Sequence, residues 1–224
     1  MLTALLRTAY DLVAPRQHDS ALGIIHADFP DGERRFLFAV PSRTEALKNK
    51  KGLRLLGGVG ENNETPVQTL FRELREELVG HDTMKGIEEG RMMPISELQD
   101  NALSLLRRKQ TEMEKQTAPD KLWSYHYNYN PDRFNERQKN WARSANHIYE
   151  LRLTPDEFRL LENVGRETTQ RDHKELSNVS VMTEREIRGA LSRHEKFMGY
   201  AGEIRSLGLF LKSPQGLSPA PAAP

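Results

Sequence analysis

The stretch Gly58–Gly80, GVGENNETPVQTLFRELREELVG, contains the residues that decide how this chain is interpreted. Charged residues recur in it at short intervals, among them Arg72 and the glutamates Glu64, Glu73, Glu76 and Glu77. Like charges three or four residues apart on a helix repel each other. We therefore expect a positive charge to offset this repulsion, and a divalent metal ion is the natural candidate.

The second half of this stretch has the pattern of a short amphipathic helix. Thr65 is a predicted N-cap, Pro66 suits the first helical position, and Gly80 is a predicted C-terminal stop. Apolar residues recur between them at helical spacing: Val67, Leu70, Phe71, Leu74 and Leu78. The last three glutamates fall at positions i, i+3 and i+4, so we expect them on one face beside this apolar stripe.

Carboxylates grouped in this way are typical ligands of hard cations such as Mg²⁺ and Mn²⁺. Arg72 precedes Glu76 by four residues, which predicts an ion pair between them. The preceding glycines, Gly57 and Gly58, allow the backbone to approach the helix closely, and a carbonyl there is a candidate further ligand. The structural alternative is a solvated acidic face balanced by neighbouring arginines. The spacing, the glycine pair and Glu64 favour the metal site.

The same stretch resembles the Nudix box, the signature of the Nudix hydrolase superfamily. The family pattern is glycine, five residues, glutamate, seven residues, then Arg-Glu-aliphatic, one residue, Glu-Glu, one residue, glycine and an aliphatic residue. The chain matches this pattern from Gly58 to Leu78. Val79 stands where the family has glycine, Gly80 where it has an aliphatic residue, and Leu56 where a proline usually precedes the glycine pair. The resemblance implies an α/β fold, the Nudix-type α/β/α sandwich with a mixed β-sheet.

The resemblance also implies Mg²⁺-dependent hydrolysis, with Mn²⁺ as an alternative ion. The bond cleaved would be the pyrophosphate bond of a nucleoside diphosphate linked to another group, with ADP-ribose and related ADP-linked compounds as leading candidates. Two alternatives stay open. One is a nucleoside-triphosphate pyrophosphohydrolase or an RNA-cap-removing enzyme. The other is a Nudix-like module that senses a nucleotide without cleaving it.

Roles for individual residues follow from the resemblance. Glu73, Glu76 and Glu77 are expected to be catalytic and to bind the metal, and Glu73 is also a candidate base for water. Glu64 is expected to support the cluster or to bind an additional metal. Arg72 is expected to orient the carboxylates, and a carbonyl of the glycine pair to complete the metal site.

Many Nudix enzymes take one more acidic residue from a loop near the last strand. Glu175 is the nearest candidate for this catalytic role, and Asp172 is the second. The alternative for both residues is a solvated loop acid.

Five segments outside the box helix have the composition of β-strands. They are Ala21–Phe29, Arg35–Val40, Leu53–Leu56, Asn146–Leu153 and Leu176–Met182. We therefore predict a single Nudix hydrolase domain over residues 1–212, followed by a disordered tail over 213–224 that is rich in Pro, Ala and Ser.

Three further helices are predicted from periodicity and capping residues. Ser96 is a candidate cap for a helix within Ile95–Lys115. Thr183, with a glutamate three residues later, predicts a helix over Glu184–Arg193, and a second helical stretch is expected around Glu195–Phe210.

An insertion over about residues 96–145 follows the box helix. Within it, Leu122–Asn130 places four aromatic rings at alternate positions, so that a strand would turn them all to one side. Trp123 and Tyr125 are candidate substrate-binding residues that stack on a base, and Arg107 is a candidate for binding phosphate. The favoured alternative is that these rings close a small accessory core or a homodimer contact.

Composition limits the remaining function classes. Charged residues make up 29% of the chain and hydrophobic residues 37%, so no membrane span is expected. A net charge of +1 gives no general case for nucleic acid, apart from capped RNA as a substrate. The chain has no cysteine, which excludes disulfides and thiol nucleophiles and fits a cytoplasmic location. The expected partner is a small nucleotide substrate.

Overall fold

The computed structural model describes residues 20–42, 52–61, 63–116, 121–126, 145–168, 176–195, 197–198 and 201–212. For residues 121–126, 145–146, 176–177 and 201–202 only the backbone is described. The tail predicted over 213–224 lies outside these ranges.

The described strands form one mixed β-sheet. They are β1 (Ser20–Asp28), β2 (Arg34–Pro41), β3 (Leu56–Val59), β4 (Lys121–His126), β5 (Ala145–Leu153) and β6 (Leu176–Thr183). The spatial order is β4-β5-β1-β2-β6, with β3 also paired to β1. β1 and β5 are parallel, whereas the other pairs are antiparallel. One edge of β1 serves two strands, because residues 20–23 pair with β3 and residues 25–28 pair with β2.

The described helices are α1 (Pro66–Val79), α2 (His81–Glu88), α3 (Glu97–Lys115), α4 (Pro155–Thr168), α5 (Glu184–Ser192) and α6 (Ala201–Lys212). Thr65, Ser96 and Thr183 are N-caps of α1, α3 and α5, and each forms a full capping box. These three helices confirm the predictions. The sequence patterns did not predict α2 and α4. The predicted start of the last helix at Glu195 is wrong, because the chain first makes a bridge between Met198 and Leu53.

Helices cover both faces of the sheet because alternate residues of β1 point to opposite sides. Ala21 and Ile25 join a core with the buried sides of α1, α3 and α4. Leu22 and Ile24 join a second core with α5 and α6. The predicted α/β class with a mixed sheet is confirmed. The α3 helix packs directly into the first core through Leu106 and its neighbours.

A buried polar contact also connects the two parallel strands. His26 of β1 and Glu150 of β5 place Nε2 and Oε1 2.7 Å apart. The ring of His26 lies against Phe36 and Phe210, with centroids 5.6 and 5.3 Å away.

Backbone hydrogen bonds fix the segment that leads into the glycine pair. Leu53 N–H donates to the Phe197 carbonyl at 2.8 Å, and Leu55 N–H donates to the buried carboxylate of Glu203 at 2.7 Å. Arg54 forms an isolated bridge with β2. The strand predicted at Leu53–Leu56 therefore begins only at Leu56, because the residues before it bind other elements.

Candidate functional site

Arg72 lies at the centre of the charged face of α1. Its Nε donates to Glu64 Oε1 at 2.9 Å, and its Nη1 donates to both carboxylate oxygens of Glu76 at 3.2 Å. Its Nη2 donates to Glu73 Oε1 at 3.0 Å and to the Val59 carbonyl at 2.8 Å. One guanidinium thus contacts three of the four predicted carboxylates and also the strand that carries the glycines.

These charges are mostly shielded from solvent. The Arg72 side chain is 12% exposed, and the three carboxylates it contacts are 18–21% exposed. Burial acts to lower the pKa of Arg72, but the hydrogen bond to Glu64 and the charges of Glu73 and Glu76 raise it above its ordinary value. Burial acts to raise the pKa of Glu64, but the Glu61 N–H and Arg72 lower it below its usual 4.5. Arg72 and Glu64 are therefore expected to be ionised at neutral pH.

The glycine pair completes this face from the side of β3. Gly57 has φ of +128° and donates its N–H to Glu77 Oε2 at 2.8 Å. A Cβ at Gly57 would lie 2.2 Å from the Ala21 carbonyl oxygen, and one at Gly58 would lie 2.4 Å from the carboxyl carbon of Glu73. Only glycine fits at these two positions without moving β1 or the Glu73 side chain.

The structure brings together seven of the predicted site residues: Gly57, Gly58, Glu64, Arg72, Glu73, Glu76 and Glu77. Among the described residues, no group of three or more His, Cys, Asp or Glu side chains already has the arrangement of a metal site. The donors themselves fit Mg²⁺, because they are carboxylate oxygens beside a backbone that approaches them closely. The metal at this face stays a prediction.

Two contacts of the cluster were missed from the sequence. His81 begins α2 and places its Nδ1 3.4 Å from Glu76 Oε2. The sequence position of His81, directly after Gly80, could have predicted this contact. A helix that begins there places its first residue close to the last turn of α1. The Thr69 hydroxyl donates to Glu64 Oε2 at 3.2 Å. A Thr five residues after a Glu is not a pattern that predicts such a hydrogen bond.

Arg75 lies on the flank of α1 that faces α3. Its Nη1 donates to Gln110 Oε1 at 2.8 Å. Burial lowers the pKa of Arg75, the charge of Arg107 lowers it further, and the charges of Glu88 and Glu76 act in the opposite direction. Arg107, a predicted substrate-binding residue, is exposed on α3 and lies near this flank.

The other predicted site residues are described in part or not at all. Trp123 and Tyr125 lie in β4, where their backbones pair with Ile148 and Asn146 of β5. Their positions alternate as predicted, and their side chains lie outside the described part of the structure. Glu175 also lies outside the described residues.

A scan against models of known protein families finds no match for this chain, and a comparison with curated proteins finds no significant relative. The functional argument therefore depends on the site itself. Within the described ranges, no helix is both long enough and apolar enough to cross a membrane.

Proposed function

We propose that this chain is a Nudix-type hydrolase that uses Mg²⁺ to cleave the pyrophosphate bond of a nucleoside diphosphate linked to a second group. The observation that carries the proposal is the convergence of Glu64, Glu73 and Glu76 on Arg72, with the Glu73 carboxylate against Gly58. These residues occupy the positions of the Nudix pattern. The Nudix-type sandwich belongs to the same proposal and is supported by helices on both faces of a mixed sheet.

The residues that would bind the ion are Glu73, Glu76 and Glu77, with a carbonyl of the glycine pair. Bound Mg²⁺ supplies positive charge that offsets the charge of the diphosphate and of the leaving phosphate. The protein orients the carboxylates. Gly57 N–H fixes Glu77, and Arg72 fixes Glu76. This preorganisation limits the side-chain entropy lost when the ligands assemble.

Water is the nucleophile in this proposal. Its oxygen forms a bond to one phosphorus as the bridging P–O bond breaks, and its proton passes to a carboxylate. Glu73 is the candidate base because its carboxylate lies against the glycine backbone, where a substrate phosphate can approach closely. Arg72 donates to Oε1 of Glu73 and would hold this carboxylate in place.

The leading substrates are ADP-ribose and other ADP-linked compounds. Nucleoside triphosphates and capped RNA are the alternatives, and nucleotide sensing without cleavage is the alternative of another class. A cytoplasmic location is part of the proposal and is supported by the lack of cysteine in the sequence.

The test is a substrate panel in Mg²⁺ buffer that contains ADP-ribose, NADH, dinucleoside polyphosphates, nucleoside triphosphates and capped RNA. We expect release of a nucleoside monophosphate or pyrophosphate, and a roughly hundredfold or greater loss of kcat in Glu76→Gln and Glu77→Gln. Glu112→Gln is the matched control, because it makes the same charge change at an exposed position of α3.

Two results would overturn the proposal. Turnover that survives both substitutions would remove the assigned roles of Glu76 and Glu77. Nucleotide binding without turnover of any compound would make the chain a sensor.

A further inference from the structure

Two arginines beside the carboxylate face have no role in the proposed metal chemistry. Arg75 is three residues after Arg72 on α1, and Arg107 is three residues before Gln110 on α3. Residues three apart on a helix share a face. Because Arg75 Nη1 donates to Gln110 Oε1 at 2.8 Å, its guanidinium lies against the turn of α3 that carries Arg107.

This pair differs from the other arginines near it. Arg72 contacts three carboxylates, and Arg108 donates to Glu157 on α4 at 2.6 Å. Among the described residues, no carboxylate forms a salt bridge with Arg75 or Arg107. The closeness of these two guanidinium groups carries an unfavourable repulsion that an anion between them would relieve.

The surrounding charges support this reading. The charge of Arg107 acts on Arg75, in the same direction as burial, to lower its pKa. Glu88 and Glu76 act in the opposite direction from a distance longer than an ion pair. Nearby carboxylates therefore balance the positive charge on this flank only in part. The side chain of Arg107 is exposed, so an anion from solvent can reach the flank.

We propose that Arg75 and Arg107 form a subsite for a phosphoryl group. At about 100° per residue, Arg75 lies on the opposite side of Arg72 from Glu73 and Glu77, so the subsite and the glycine pair flank the carboxylates on two sides. A substrate bound at the carboxylates would place a further phosphoryl group between the arginines. This assignment to the substrate depends on the proposed function, whereas the anion site does not.

The anion site is tested without metal or turnover. Binding of inorganic pyrophosphate to the full-length chain is measured by isothermal titration calorimetry at low salt, in buffer that contains a chelator. We expect binding that weakens with added salt and that falls about tenfold in Arg107→Gln and in Arg75→Gln. Arg108→Gln is the matched control, because it removes the same charge from the adjacent position and is expected to leave the affinity unchanged.

Folding is checked separately for Arg75, which is half-buried and bonded to Gln110. Arg75→Lys keeps the charge and is expected to recover part of the pyrophosphate affinity. If Arg75 only connects the two helices, Arg107→Gln will bind pyrophosphate like the wild type, and the subsite is refuted. Equal losses in all three glutamine variants would also refute it, because they would show a general charge effect.

The role in the reaction has its own readout. With the best substrate of the panel, Arg107→Gln is expected to raise KM about tenfold and to leave kcat near the wild-type value. If the wild type cleaves nothing but binds pyrophosphate through the arginines, the proposed function fails and the subsite stands. If the wild type cleaves a substrate and both arginine variants keep its KM, the subsite fails and the function stands.

Discussion

Replacing Glu203 by glutamine removes a buried charge from beneath the segment that leads into the glycine pair. Glu203 is 3% exposed, and its Oε2 accepts the Leu55 N–H at 2.7 Å. Glutamine retains a side-chain oxygen that can accept the same hydrogen bond. The substitution therefore tests the charge of Glu203 with little change in its shape.

Burial raises the pKa of Glu203 from its usual 4.5 to about 7, although the Leu55 N–H and the charge of Arg54 act to lower it. The folded state favours the protonated form of Glu203. The stability that protonated Glu203 contributes is therefore fully present below pH 4.5 and is lost as the pH rises through about 7. The gap between 4.5 and about 7 is about 2.5 pH units, which corresponds to about 3.5 kcal/mol at about 1.4 kcal/mol per unit. Wild type should lose about this much free energy of unfolding over that range, and Glu203→Gln should not.

Urea denaturation at several values between about pH 5 and about pH 8, followed by far-UV circular dichroism, measures the effect. We expect the stability of Glu203→Gln relative to wild type to increase steadily with pH. Glu112→Gln is the control, because it makes the same charge change at an exposed position of α3. Parallel profiles for wild type and Glu203→Gln would refute the reasoning, since they would mean that Glu203 titrates alike in the folded and unfolded states.

Three further substitutions test the site. Gly57→Ala should lower the free energy of unfolding by about 3 kcal/mol or more in urea melts, because its φ is +128° and the new Cβ would lie 2.2 Å from a carbonyl oxygen of β1; near-wild-type stability would contradict this. Gly58→Ala should fold, because the clash at 2.4 Å is with the end of the flexible Glu73 side chain, but should bind Mg²⁺ more weakly by calorimetry; unchanged affinity would argue against Glu73 as a ligand. Arg72→Gln should destabilise the protein by about 1–3 kcal/mol near neutral pH, and the deficit should shrink below pH 4.5 as Glu64 becomes protonated; a deficit independent of pH would mean that Arg72 acts through packing alone.

Local signals in the sequence were sufficient to predict α1 and its charged face. Thr65, Pro66 and Gly80 fix the ends of this helix, and its apolar residues repeat at helical spacing. The Arg72–Glu76 ion pair is also local, because the two residues are one helical turn apart.

The missed helices have different explanations. Gly80 ends α1 and also precedes the first residue of α2. A glycine at this position predicts the end of a helix and gives no sign that another helix begins directly after it. For α4 a signal was present. Thr154 and Glu157 exchange the two hydrogen bonds of a capping box at the start of Pro155–Thr168, and a Thr followed by a Glu three residues later is visible in the sequence.

The remaining site contacts depend on tertiary structure. Gly57 reaches Glu77 only because β3 pairs with β1 and thereby lies beside α1. The contact of Arg75 with Gln110 requires α3 to pack on α1, and the two residues are 35 positions apart. No periodicity or spacing within either helix specifies this packing partner.

The contact between His26 and Glu150 has a consequence for how the chain is made. These residues are 124 positions apart, and the parallel strands they connect are neighbours in the middle of the sheet. During translation β1 therefore cannot pair with β5 until most of the polypeptide has been synthesised. Until then the unpaired edge of β1 can pair with other nascent chains. We expect fragments that stop before β5 to aggregate, and chaperones that shield strand edges to improve the yield of the intact chain.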